Sequence, residues 1–171
     1  MSNVSQFFVV LTAAAGCAAD LRSRRIPNVL TFGSALLAVG YAGSVAGVSG
    51  VGSALAGWGL GVALLLPFFL LRGMGGGDVK FVAALGAWLG PAALLSLAFY
   101  TAIAGGVMAL FVIVWKRRLA VTFANLWLLL CHWHVGGVRP LAEISLDNPN
   151  TARLAYGVPI AVGAMLTIWR H

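Results

Sequence analysis

The chain has 171 residues, 61% of them hydrophobic and 9% charged, with a formal net charge of +7. A soluble domain is about 45–50% apolar and about 25% charged, so a water-soluble fold of this length has too little interior for the excess. The long unbroken apolar runs exclude a closed barrel, which needs alternation, and leave an all-α polytopic membrane protein with lipid around its helices.

Six membrane segments are expected in chain order, in one integral-membrane domain spanning residues 1–171. The first covers residues 4–19 and ends at the basic stretch DLRSRRIPN. Pro27 suits the first turn of a second helix over 29–46, where its missing N–H costs nothing. GVSGVGS reads as a short uncharged turn, and a third helix follows over 55–71. After the loop GMGGGD comes a short fourth segment, which Gly90-Pro91 breaks. The fifth covers 92–115 and the sixth 156–169. Residues 119–153 read as an insertion at the cytoplasmic face. Its apolar first part suits an interfacial or re-entrant helix or a seventh span, and its polar second part suits a loop.

Charge sets the expected orientation, because Lys and Arg accumulate on the cytoplasmic side. With the N-terminus outside, ten of the 11 basic residues fall inside and only Arg170 falls outside. The basic residues sit at the ends of apolar runs, beside anionic headgroups, and no nucleic-acid partner is expected. Cys17 and Cys131 are isolated and supply no metal spacing. Ala15-Gly16-Cys17 lacks the basic start of a lipoprotein signal before it.

The four acidic residues are Asp20, Asp78, Glu143 and Asp147. The topology puts Asp20 at the inner end of the first helix and Asp78 at the inner start of the fourth. Two carboxyls at one depth suit aspartyl proteolysis, since in a poorly solvated site they share a proton. Residues 79–89 make roughly 17 Å of helix against a hydrocarbon core of about 30 Å. Either the outer turn dips inward or Asp78 lies below the inner surface, where ionisable groups are usually functional. Gly75, Gly76 and Gly77 would clear space for a peptide backbone and can adopt positive φ. The competing readings are a helix N-cap for Asp78 and an interfacial partner of Arg22 or Arg24 for Asp20. Lys80 points away from Asp78 on a helix and reads as a headgroup anchor.

Gly75-Gly76-Gly77-Asp78 is a GxGD motif followed by Val79-Lys80, and Asp20 precedes Arg25-Ile26-Pro27-Asn28. With Tyr156-Gly157-Val158-Pro159-Ile160 ahead of the last helix, the chain resembles the type IV prepilin peptidases over residues 6–169. Those are intramembrane aspartyl proteases. The resemblance implies cleavage of a short basic leader, after a glycine, at the cytoplasmic face of the cell inner membrane. It implies Asp20 and Asp78 as the catalytic pair. Gly75, Gly76, Gly77, Lys80, Pro27 and Asn28 then support the substrate or the loops. Prepilin or pseudopilin precursors are the implied partners, beside membrane lipids, and no cofactor is implied. Many full-length members carry an added N-terminal region with paired CxxC zinc ligands. This chain starts at its first helix, so the expected likeness is to the short form of tight-adherence (Flp) or archaeal systems.

His132-Trp133-His134 invites a metal reading, but two His at that spacing diverge on a helix, and an interfacial role fits better. An ion-coupled transporter would use the same two aspartates, although no internal repeat is visible. A non-catalytic subunit of a pilus or secretion assembly is the other alternative.

Overall fold

In the computed structural model the described residues are 2–117, 119–136 and 155–170. Among the described residues there are five helices and no strand. These are α1 (Asn3–Ser23), α2 (Asn28–Leu70), α3 (Gly76–Trp115), α4 (Leu119–Gly136) and α5 (Gly157–Arg170). Among the described residues, α1, α2 and α3 are long and apolar enough to cross a membrane, and α5 is a shorter apolar helix. Large apolar side chains such as Val29, 85% exposed, point outward, as lipid-facing residues do.

Local signals set the helix ends. Ser2 caps α1, its Oγ accepting the Ser5 N–H at 3.2 Å. Arg24 closes α1 in the left-handed region (φ 52°), its N–H donating to the Asp20 carbonyl. Pro27 (φ −62°) is the N-cap of α2 and stands just outside it, and its carbonyl accepts the N–H groups of Leu30 and Thr31.

At 43 residues α2 would be about 64 Å long if straight. It is broken at Gly47 (φ 59°, ψ −141°). Ser34 bonds Trp88 while Gly57 lies against Gly86. On a straight helix Ser34 and Gly57 would stand roughly 34 Å apart, so the two halves of α2 fold back and flank the first half of α3. The uncharged turn expected over GVSGVGS is thus a single residue, and helix resumes at once after it. Gly47 supplies the left-handed φ that L side chains rarely adopt. Gly50 then lets the returning chain pass against the Ala42 carbonyl.

The second break is the expected one. Gly90 (φ 74°, ψ 172°) interrupts α3, and Pro91 begins the next rod. The first rod, residues 76–89, spans about 21 Å and is almost wholly buried. Phe81, Leu85 and Leu94 are fully buried at the centre. Small residues let the backbones close on it, Gly57 against Gly86 and Gly61 against Ala83. Such contacts drive helix association where lipid removes any hydrophobic gain. One polar network crosses the interior. Trp88 Nε1 donates to Ser34 Oγ at 2.9 Å, and Ser34 and Thr12 share a 2.8 Å hydroxyl bond. Phe8 stacks on Trp88 with centroids 4.7 Å apart.

The apolar part of the expected insertion is helix α4. Its continuation over 137–154, with Glu143, Asp147, Arg139 and Arg153, lies outside the described residues. So do Arg118 and the side chains of Trp133 and His134.

Candidate active site

Three helix ends meet at one pole of the bundle: the end of α1, the start of α3 and the start of α5. Asp20 sits in the last turn of α1 and is 7% exposed. Its Oδ2 accepts the Gly157 backbone N–H at 2.8 Å. That N–H opens α5, and the first N–H groups of a helix have no partner within it. They and the positive end of the helix dipole favour a carboxylate. A Cβ at position 157 would lie 2.8 Å from Asp20 Cβ and 3.0 Å from Oδ2. Only glycine permits this approach. The bond that fixes Asp20 thus runs inward to a backbone group 137 residues away, not to the surface.

Asp78 stands in the first turn of α3. The N-cap is Gly75 (φ −74°), three residues earlier, so the competing reading of Asp78 as the cap itself does not hold. Its carboxylate instead reaches back to the Gly75 N–H. This is the return half of a capping box. The glycines also act differently from expectation. Gly75, Gly76 and Gly77 do not use positive φ, and the sharp turn before them is made at Arg72 (φ 57°). What they provide is proximity. A Cβ on Gly75 would come 3.2 Å from Asp78 Oδ2, and one on Gly76 would come 3.2 Å from the Phe69 ring. Gly77 faces Ile26, which is buried between the Arg25-Ile26-Pro27-Asn28 segment and the start of α3.

The two carboxylates are within electrostatic reach of each other. Tyr156 and Gly157 lie between them. Gly157 holds Asp20, and the half-buried Tyr156 phenol is within electrostatic reach of Asp78. Lys80, expected as a headgroup anchor, has a protein partner. Its Nζ donates to Asn28 Oδ1 at 3.1 Å and sits 5.5 Å over the Phe32 ring. Lys80 and Asn28 thus tie the start of α3 to the start of α2, while Pro27 sets where α2 begins. Among the described residues no group of His, Cys, Asp or Glu could hold a metal ion.

Sequence reasoning on single motifs missed Tyr156, Gly157 and Ile26 as neighbours of the pair. Pro159 marks the start of a helix at 157, but nothing local says that the helix points its first N–H at Asp20.

Fold and site together define an all-helical membrane protein, among the described residues, with two carboxylates within electrostatic reach of each other at one end of its apolar helices. Residues 7–110 match the type IV leader peptidase family, and the chain belongs to that family. It is also 38% identical over 108 residues to a prepilin leader peptidase/N-methyltransferase of Burkholderia pseudomallei, in strains 1026b and K96243 alike. The matched stretch covers 60% of this chain and 35% of that relative, so the chain spans about a third of its curated relatives. No solved structure matches.

Proposed function

We propose that this chain is a membrane-embedded aspartyl endopeptidase that removes the leader from type IV prepilin-like precursors, of the Flp kind. It would act at the cytoplasmic face of the inner membrane, with six spans and the N-terminus outside. The observation that carries the reading is the convergence of Asp20 and Asp78 from separate helices, each with a backbone N–H on its carboxylate. The charge asymmetry of the chain supports the orientation. The two breaks at Gly47 and Gly90 support the count, since they divide α2 and α3 into four rods.

The chemistry follows from the pair. Two close carboxyls in a poorly solvated site hold one proton between them. The ionised partner takes a proton from water, and the protonated one donates to the scissile carbonyl oxygen as hydroxide adds to the carbon. The tetrahedral adduct collapses when the leaving nitrogen is protonated and the carbonyl reforms. The same placement supports a prepilin-like substrate. A leader in the cytoplasm followed directly by an apolar helix presents its junction at the depth where the two aspartates meet.

The test is processing of a co-expressed precursor by Asp20→Asn and Asp78→Asn. Each should abolish the processed product while the protein still accumulates in the membrane. Normal cleavage by either variant removes that residue from the mechanism. Ion flux through liposomes without any processed product would favour a transporter.

A further inference from the structure

Beside the carboxylate pair lies a cavity of about 370 Å³, open on its outer side between α2, both rods of α3 and α5. Its wall includes Phe68, Met74, Val82, Ala102, Gly106 and Tyr156. Three of these place it against the candidate site. Val82 is one helical turn past Asp78 on the same face of α3. Met74 belongs to the loop before the motif. Tyr156 senses the Asp78 charge and precedes the glycine that holds Asp20. Neither carboxylate lines the cavity, but it begins about one helical turn from Asp78 and runs along α3. Its lining is mostly hydrocarbon, and its polar residues are Tyr156 and Thr101, whose buried hydroxyl has no hydrogen-bond partner among the described residues.

We propose that this cavity is the subsite for the first helical turn of substrate after the scissile bond, holding the apolar side chains of its first and fourth residues. The inference rests on the endopeptidase reading above. An apolar segment that follows a peptide bond held at Asp78 has this cavity beside it along α3. One turn of that segment advances about 5.4 Å, which brings its fourth residue level with Val82. A void of about 150 Å³ takes one benzene, so this one takes two large side chains. Polarity agrees, because an apolar lining rejects the charged leader and accepts the helix. The open side lets a substrate helix enter sideways from lipid. Ala102 and Gly106 on the second rod of α3 border that entrance, and a Cβ at Gly106 would meet nothing within 4 Å. A larger side chain there occupies the cavity without displacing backbone.

Two measurements test this, in proteoliposomes, on a precursor with a basic leader, a glycine and an apolar helix. The first is cleavage by Gly106→Phe. It should lower kcat/KM at least tenfold for a precursor with Leu at positions 1 and 4 after the cut. With Ala at both positions most of that loss should be recovered. An unchanged ratio between the two precursors overturns the subsite. The second does not depend on turnover. In an Asp78→Asn background with Cys17 and Cys131 replaced by Ser, Gly106→Cys should form a disulfide with a cysteine at substrate position 4. Val107→Cys, on the neighbouring 62% exposed outward position, should not. Equal cross-linking at both positions, or none at 106, overturns the proposal. A wild-type chain that cuts neither precursor defeats the endopeptidase reading itself. Wild-type cutting with an unchanged ratio in Gly106→Phe defeats the subsite alone.

Discussion

One methyl group added at Gly157 challenges the arrangement of the carboxylates more directly than removing either of them. In Gly157→Ala the new Cβ would stand 2.8 Å from Asp20 Cβ and 3.0 Å from Oδ2, closer than side-chain carbons are found. Something must shift. The flexible part is the Asp20 side chain, since the α5 backbone is tied by the Val158 and Ile160 N–H bonds to Ala155 and Tyr156. Rotation of the carboxylate gives up the 2.8 Å bond to the Gly157 N–H. A hydrogen bond to a charged group is worth about 1.5–3 kcal/mol. If that interaction sets Asp20 for reaction, the loss corresponds to roughly a 10- to 150-fold fall in kcat. The assay is processing of a purified precursor in proteoliposomes, with kcat and KM measured separately and the amount of folded enzyme checked by thermal unfolding in detergent. A fall in kcat at unchanged KM and unchanged unfolding temperature is the expected result. Wild-type kcat in Gly157→Ala would refute the reasoning, because Asp20 would then not depend on the start of α5.

Lys80→Met and Asn28→Ala should each lower activity only a few-fold, since their bond lies on an exposed edge. In a double-mutant cycle the pair should couple by about 0.5–1.5 kcal/mol, and strict additivity would mean that they act independently. The orientation is checked with single cysteines in a chain without Cys17 and Cys131. Val48→Cys, at a 90% exposed position beside the Gly47 break, should react with an impermeant maleimide on intact cells. Arg72→Cys, in the turn before the glycines, should react only after the cells are opened, and the reverse pattern would invert the topology.

Much of this site was legible in the chain. A carboxylate is costly among apolar residues, so four acids in such a sequence draw attention, and two of them fall at helix ends of the same side. Gly90-Pro91 was legible as a break because glycine frees φ and proline removes a donor. Asp78 was harder. A glycine run before an aspartate suggests a flexible loop with a cap, whereas the glycines belong to the helix start and the carboxylate bonds back to Gly75. Gly47 was hidden within a run of small residues, where nothing local distinguishes the one glycine that must reverse the chain from those that allow close packing. Lys80 read as an anchor because Asn28, its partner, lies 52 residues away.

By itself the sequence determined the apolar character of the protein, its helical class and that two of its few carboxylates stand near helix ends. Each of these depends on composition, charge placement and distance along the chain, which are one-dimensional properties. The tertiary structure alone decided what stands beside those carboxylates. The first N–H of α5 meets Asp20 from 137 residues away, Tyr156 enters beside Asp78, and a cavity opens one turn further along α3. These neighbours come from helix packing through small residues, and no local pattern encodes which backbone a given glycine will touch.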